Sequence, residues 1–136
     1  MKAQGSYKVT KWEENPYDHI SANSKLSKAS VEYQCIGEIE GKAIVEYLMF
    51  YSHFDPNDQH NSSAAYVGLI RFQGKLKDKP GSFVLHDHGT FHGGTARSAL
   101  EIAIGSGTGE LQGITGTGMY RADREGYYLE LNYDLP

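Results

Sequence analysis

The chain has 136 residues and a formal net charge of −4, which is the size of one domain. This length is too short for two enzyme domains but long enough to bury a core. Aromatic residues make up 12% and charged residues 22%, which is too aromatic for a disordered chain and too polar for a membrane protein. Because the charge balance is acidic and the lysines and arginines are scattered, we expect no nucleic-acid partner.

The single cysteine and the first residues bear on the compartment. Cys35 has no second cysteine to pair with, so nothing indicates an oxidising environment, and its alternating strand predicts a packed core thiol. The first residues lack the apolar region of a signal peptide, and no apolar run is long enough to cross a membrane. We therefore expect a soluble cytoplasmic protein with no membrane partner and no cofactor.

From the first residues onward, the pattern predicts strands and no helix. Val, Ile, Tyr, Phe and Thr alternate with polar residues between clusters of Gly, Pro, Asn and Asp. Longer polar connections interrupt the strands at residues 15–19 and 53–63. The predicted strands cover residues 5–13, 27–40, 42–53, 65–77, 81–91, 95–104, 108–122 and 126–134.

The spacing of these strands favours an all-β fold in one domain over residues 1–136. Short strands joined mostly by tight turns are typical of a meander. Closing the meander removes the exposed sheet edges that invite aggregation. We therefore predict an eight-stranded antiparallel up-and-down β-barrel, with a two-sheet sandwich as the alternative.

The glycine-rich stretch at residues 105–118 invites comparison with a phosphate-binding loop. It contains no Gly-Lys-Ser/Thr and no GxGxxG spacing, and no helix is predicted after it. Glycines within strands more commonly mark bulges or the strong coiling that a small barrel needs. We therefore assign these glycines a structural role.

Six short segments in a fixed order carry a resemblance: Lys25–Ser30, Glu46–Met49, Gly68–Gly74, Gly81–Leu85, Gly93–Arg97 and Gly105–Leu111. Together they resemble a bacterial family that is known only as a domain of unknown function. That family is similar to the allene-oxide-cyclase-like barrel superfamily, which includes the plant dirigent proteins. The resemblance covers nearly the whole chain and implies an eight-stranded antiparallel barrel that is usually oligomeric. It implies no established activity, and no catalytic position of either enzyme group matches this sequence.

A two-residue hairpin turn predicted at Gly93 and Gly94 fixes the register of the strands on either side. One face of this hairpin is apolar apart from Ser98 and Asp87. The predicted pairs on that face are Phe91–Ala96, Gly89–Ser98, Asp87–Leu100, Leu85–Ile102 and Phe83–Ile104.

A symmetric connection around residues 53–64 predicts a second register. It pairs Glu46 with Arg71 as a cross-strand ion pair. The uncharged, aromatic face that includes Tyr47 is assigned to the interior, because burying unpaired charges costs several kcal/mol. A large apolar patch is then left outside, which is typical of a subunit interface, so we expect a dimer, with a trimer as the alternative. The outer patch consists of Leu48, Phe50, Val67 and Leu69.

Asp87 is the one ionisable group on the predicted interior of its hairpin. A carboxylate in an apolar pocket has a raised pKa, which suits an acid, a base or a group that binds a ligand. Tyrosine hydroxyls in the same cavity could orient a ligand. Alternatively, Asp87 is structural and caps one end of the barrel through hydrogen bonds. The candidate ligand-binding residues are Asp87, Tyr47, Tyr51, Tyr66 and Ser98.

Histidines on the opposite face form a second constellation. His86 and His88 alternate along one strand and share a face, and the hairpin register places Glu101 opposite His86. Two histidines and a carboxylate can hold a transition metal. On an outward face such a pair is more commonly a surface contact, so we predict no metal, with these three residues as the weak candidates.

Three classes of function follow from these patterns. The first is a barrel that binds, or isomerises, a small apolar ligand in its lumen, because an eight-stranded barrel can hold one small molecule. The second is a non-catalytic oligomeric scaffold with a filled core. The third is a metal-dependent enzyme that uses the histidines.

Overall fold

A computed structural model describes residues 1–136 as an antiparallel all-β protein in which 77% of the residues lie in strands. One turn of 3-10 helix, Gln59–Asn61, interrupts the connection between the third and fourth strands. No helix in the chain could span a membrane. The strands are β1 (Lys2–Ser21), β2 (Ser24–Gly37), β3 (Ile39–His53), β4 (Ser63–Leu76), β5 (Lys79–His92), β6 (Thr95–Ile102), β7 (Thr108–Gly109), β8 (Thr115–Asp123) and β9 (Gly126–Asp134).

Eight of these strands form a ring of hydrogen-bonded neighbours. The order around the sheet is β4-β3-β2-β1-β9-β8-β6-β5, and the pairing of β4 with β5 joins its two ends. All of these pairings are antiparallel. Apart from the short β7, each strand in the ring therefore pairs with the strands that precede and follow it along the chain.

β1 is longer than the predicted strand at 5–13, and the polar segment 15–19 is not a connection. β1 pairs with β2 along this whole segment, up to the last pair, Ser21 with Ser24. β1 pairs with β9 only over Lys2–Gly5, so its second half is an edge strand. An edge tolerates Pro16 because the proline nitrogen, which has no hydrogen to donate, can face solvent. The β1–β2 hairpin thus extends beyond the rest of the ring at one end.

The predicted strand at 108–122 is wrong over its first half. Residues 105–114 form turns around the two-residue β7, which pairs with the beginning of β5. Gly105, Gly109 and Gly113 have φ values of +84°, +62° and +83°, which glycine adopts readily and which bend the chain away from a strand. Leu111 and Ile114 are buried, so this segment closes one end of the ring.

The register predicted from the Gly93-Gly94 turn is confirmed for four of its five pairs. The fifth pair, Phe83 with Ile104, does not form. β6 ends at Ile102, and the side chain of Ile104 is 88% exposed. The turn itself has φ values of +60° and +79°, as a type I′ turn requires.

The register predicted between β3 and β4 is wrong by two residues. Glu46 lies opposite Leu69 rather than Arg71. His53 pairs with Ser63, which shifts the register by one residue from a symmetric 53–64 connection, and a bulge between Tyr51 and His53 shifts it by one more. Since a slip of two residues keeps every side chain on its own face, the assignment of inward and outward residues still holds.

The two ends of the interior differ in packing. The end at which β3 and β5 begin is filled by large apolar side chains. The other end, where β3 and β5 finish and β6 begins, opens into a cavity. The buried side chains at the filled end include Ile39, Phe72, Leu76, Phe83, Leu111 and Leu131.

Candidate functional site

The open end of the ring contains a cavity of about 750 Å³, which is within the range of small-molecule sites. Its walls are mostly apolar or aromatic, and they include the connection between β3 and β4 through Phe54 and His60. The β1–β2 hairpin contributes Trp12 and Glu14. Four tyrosines from different strands line it more deeply: Tyr33, Tyr47, Tyr66 and Tyr120.

The hydroxyl groups of these four tyrosines form one hydrogen-bonded network. Tyr47 Oη lies 2.8 Å from Tyr33 Oη and 3.0 Å from Tyr120 Oη. Tyr120 Oη lies 2.9 Å from Tyr66 Oη, and Tyr66 Oη lies 2.8 Å from Ser98 Oγ. The network reaches Asp87, because Tyr47 Oη lies 3.0 Å from Asp87 Oδ2.

Small residues beside the network make room for it. Tyr47 lies between Ala29 on β2 and Gly68 on β4. A Cβ atom on Gly68 would approach Tyr47 Cδ1 to 2.8 Å, and a Cβ atom on Gly89 would approach Tyr66 Oη to 2.7 Å. Both distances are shorter than real carbon contacts allow. Glycine at positions 68 and 89 therefore leaves the space that the rings of Tyr47 and Tyr66 occupy.

Asp87 lies behind the tyrosines, away from solvent. Its residue is 2% exposed, and Oδ1 has no hydrogen-bond partner. Burial raises the pKa of Asp87 to about 6, although the hydroxyls of Ser98, Tyr47 and Tyr120 partly oppose this shift. Asp87 does not line the cavity, so the tyrosines separate its carboxyl group from any molecule bound there.

Burial also governs the chemistry of the tyrosines. It is the largest cause of the raised pKa of Tyr33, Tyr47, Tyr66 and Tyr120. Their phenol groups therefore stay protonated over the whole range in which Asp87 titrates. The inner wall of the cavity presents neutral hydroxyls rather than phenolates.

A second polar group lies at the mouth of the cavity. Tyr51 Oη donates a hydrogen bond to Glu14 Oε1 at 3.1 Å, and Trp12 Nε1 donates to the same oxygen at 3.2 Å. Lys25 Nζ lies 3.5 Å from the centre of the Phe54 ring, which is a cation–π contact. The mouth therefore carries charged groups of both signs.

The structure gathers four of the five predicted ligand-binding residues. Asp87, Tyr47, Tyr66 and Ser98 belong to one network, whereas Tyr51 lies at the mouth and contacts Glu14. The register that pairs Glu46 with Arg71 also predicts Tyr51 opposite Tyr66, but Met49 occupies that position and Tyr51 lies opposite Ala64. A register difference of two residues therefore separates a position in the network from a position at the mouth.

Two residues of the network were missed. Tyr33 shares its face with Cys35, which is buried in the core as predicted and has a pKa raised to about 11 by burial. That shared face was the available signal for Tyr33. Tyr120 lies opposite Ser98, but this pairing is visible only if residues 105–114 are recognised as turns.

The predicted alternatives on the outer face do not form sites. His86 lies opposite Glu101, as predicted, and His88 follows on the same exposed face. The three side chains are exposed on the outer face, and they do not form a cluster that could hold a metal ion. The predicted ion pair is also wrong: Glu46 accepts a hydrogen bond from Ser30 Oγ at 2.6 Å, and Arg71 forms no ion pair within the chain.

The outer face of β3 and β4 exposes large apolar side chains. These residues lie next to one another across the two strands. A contiguous apolar patch is unusual on an isolated domain. We call it the β3–β4 patch; it consists of Leu48 (50% exposed), Phe50 (41%), Val67 (53%) and Leu69 (52%).

Comparisons with known proteins identify the family of this chain. The family described as "Protein of unknown function (DUF3224)" matches residues 3–135. The chain belongs to the DUF3224 family. The crystal structure of a DUF3224 protein of unknown function from Shewanella oneidensis MR-1 is similar, with 25% identity and a TM-score of 0.75 over 100% of this chain and 98% of that chain. A comparison with curated protein sequences finds no match.

Family membership confirms the resemblance to a bacterial family of unknown function. The wider relationship to the allene-oxide-cyclase-like superfamily stays a prediction. The DUF3224 family carries no described activity from which a role could be transferred. The site must therefore be interpreted from its own geometry.

Proposed function

We propose that this DUF3224 protein binds one small, largely apolar molecule in the cavity at the open end of the ring. The observation that carries the proposal is an open cavity of about 750 Å³ whose inner wall consists of hydrogen-bonded tyrosine hydroxyls. Apolar walls with a few convergent polar groups are the usual composition of ligand sites.

Binding is a better interpretation than catalysis by Asp87. A general acid or base must come within hydrogen-bond reach of the atom it serves. Asp87 lies behind Tyr47 and does not line the cavity. The aspartate therefore acts on a ligand only through the tyrosine hydroxyls, and we assign it to the support of the site.

The test is a calorimetric titration with 2-naphthol, a small apolar probe, on variants that fill the cavity. Ala96 faces the cavity, and Ala99 lies on the outer face of the same strand. Ala96→Trp is expected to abolish binding because the indole occupies the ligand volume. Ala99→Trp is the matched control and is expected to bind like the parent. Equal binding by both variants would contradict the proposal, and no binding by the parent would favour a scaffold.

We also infer that the ring is an eight-stranded up-and-down β-barrel of the allene-oxide-cyclase-like kind and that residues 1–136 form one such domain. The sequential order of the strands around the ring supports this inference. So does the single hydrophobic core cluster, which draws residues from every long strand. A cytoplasmic location remains an expectation from the sequence.

A second copy of the chain is the partner that we propose for the β3–β4 patch. In a two-fold dimer the same apolar face meets itself. Glu46 and Arg71 at the edge of the patch carry opposite charges that such an arrangement can bring together. Light scattering is expected to show a dimer that Leu69→Asp dissociates, whereas Thr117→Asp, at an exposed position of β8 away from the patch, leaves it intact. A monomeric parent would contradict this proposal.

A further inference from the structure

We infer that the ligand of the cavity carries a hydroxyl group, which donates its hydrogen to the oxygen of Tyr66 or Tyr120. This inference rests on the proposed binding function and specifies its ligand class. It follows from counting the hydrogens available in the tyrosine network, because a hydroxyl has one hydrogen to donate and two lone pairs to accept with.

The network leaves no tyrosine hydrogen free. It contains five oxygen–oxygen contacts within hydrogen-bond distance. Each tyrosine has one hydrogen, and a partner in the network takes it: Tyr33 donates to Tyr47, Tyr47 to Asp87 or Tyr120, Tyr120 to Tyr66, and Tyr66 to Ser98. The hydrogens of these four tyrosines are therefore committed inside the protein.

The geometry also indicates the direction of the chain of hydrogen bonds. Between Tyr120 and Tyr66 the angles permit donation by Tyr120. When Asp87 is protonated, its carboxyl hydrogen serves the contact with Tyr47, and the hydrogen of Tyr47 serves Tyr120. In this arrangement hydrogens point from Asp87 through Tyr47, Tyr120 and Tyr66 to Ser98, while Tyr33 donates to Tyr47.

The same conclusion holds when Asp87 is ionised. The carboxylate then accepts from Tyr47, while Tyr120 still donates to Tyr66 and Tyr66 donates to Ser98, so no hydrogen is left for the contact between Tyr47 and Tyr120. In both states Tyr120 donates to Tyr66 and accepts at most one hydrogen bond, and Tyr66 accepts from Tyr120 and donates to Ser98. Each oxygen keeps one lone pair for a ligand, and neither has a hydrogen to offer.

Tyr7 adds a complementary group at the same depth. It lines the cavity beside Tyr33 and Tyr120, with ring centres 5.0 and 5.6 Å away. Its hydroxyl has no hydrogen-bond partner in the chain, so its hydrogen is free. A ligand hydroxyl suits this wall because it can donate to Tyr66 or Tyr120 and also accept from Tyr7.

A matched pair of probes tests the inference. 2-Naphthol and 2-methoxynaphthalene share one ring system, but only the first can donate a hydrogen bond. We expect 2-naphthol to bind about fivefold more tightly, since one net hydrogen bond is worth about 1 kcal/mol and each tenfold is about 1.4 kcal/mol. Equal or tighter binding of the methyl ether would overturn the inference while leaving the proposed function standing.

Two double variants locate the effect. Tyr66→Phe with Tyr120→Phe removes the two acceptors and is expected to reduce the preference for 2-naphthol to less than about twofold. Tyr51→Phe with Tyr127→Phe removes two hydroxyls from the mouth of the same cavity, and it should keep a preference of about fivefold. A preference that survives the first variant, with a native melting transition, would contradict the assigned acceptors. If neither probe binds the parent, the proposed function and this inference both fail.

Discussion

The closed and open ends of the ring are built from the same strands but differ in what those strands place inside. At the closed end Phe72 and Phe83 pack with ring centres 5.1 Å apart, and the adjacent void has a volume of about 30 Å³. At the open end Ala96 lies opposite Ala122, and the cavity reaches about 750 Å³. Small residues paired across neighbouring strands therefore determine where the interior stays empty.

The tyrosine network forms the boundary between these two regions. Tyr7, Tyr33 and Tyr120 line both the small void and the large cavity. A layer of aromatic rings with polar ends suits such a position, because the rings pack against the apolar core and the hydroxyls face the cavity. The closed end thus stabilises the fold, and it also supports the polar wall of the cavity at the open end.

The largest expected effect is a difference between the two ends in how much stability is lost when a phenylalanine is removed. Phe83→Ala removes a fully buried ring at the closed end and should lower the free energy of unfolding by about 3–5 kcal/mol. Phe91→Ala, on the same strand but lining the cavity, should cost about 1 kcal/mol because little packing is lost. Urea denaturation of both variants checks this difference. Equal losses would mean that the open end is packed like the closed end.

The next effect concerns the charge of Asp87. Its pKa rises from the ordinary value of 3.8 to about 6, so between these values the folded state holds a proton that the unfolded chain releases. The contribution of Asp87 to the free energy of unfolding therefore falls as pH rises from about 4 to 6, by up to about 3 kcal/mol, and stays low above that pH. Asp87→Asn removes this pH-dependent contribution to the free energy of unfolding.

Chemical denaturation at several pH values isolates the contribution of Asp87. Five tyrosines face the carboxyl group from β1, β2, β3, β4 and β8, and they do not titrate in this range; Ser98 faces it from β6 and His88 lies on its own strand. The difference in unfolding free energy between parent and Asp87→Asn should change by up to about 3 kcal/mol from pH 4 to pH 7. Parallel pH profiles would show that Asp87 has an ordinary pKa.

A smaller effect distinguishes the network from the mouth. Tyr47→Phe leaves Asp87 Oδ2 without its hydrogen bond, so it should cost about 1–3 kcal/mol at pH 7. Tyr51→Phe removes a hydrogen bond to Glu14 at the solvent-accessible mouth and should change stability by less than about 0.5 kcal/mol. Thermal melts of the two variants provide the comparison. A larger loss for Tyr51→Phe would place the main polar support at the mouth.

Much of the fold could be predicted from local patterns. The alternation of apolar residues indicated the strands, and the Gly93-Gly94 turn determined the β5–β6 register. Inward and outward faces were correct even where the register was not, because a slip of two residues leaves the faces unchanged. The burial of Asp87 followed from this reasoning alone.

The remaining features depend on contacts that local patterns do not encode. The pairing of His53 with Ser63 and the bulge between Tyr51 and His53 together place Tyr51 opposite Ala64 rather than Tyr66, and nothing in the neighbouring residues indicates either shift. The segment 105–114 alternates in part like a strand, yet its glycines turn it and Leu111 anchors it in the core. Tyr120 could be assigned to the network only after that segment was placed.

A crystal structure of the protein with 2-naphthol tests the central claim most directly. Our account predicts the naphthalene ring inside the cavity at the open end, with its oxygen within about 3 Å of the hydroxyl oxygen of Tyr66 or Tyr120. A naphthol bound on the outer face of the ring, or one inside the cavity with its hydroxyl directed toward the mouth and away from both tyrosines, would contradict it.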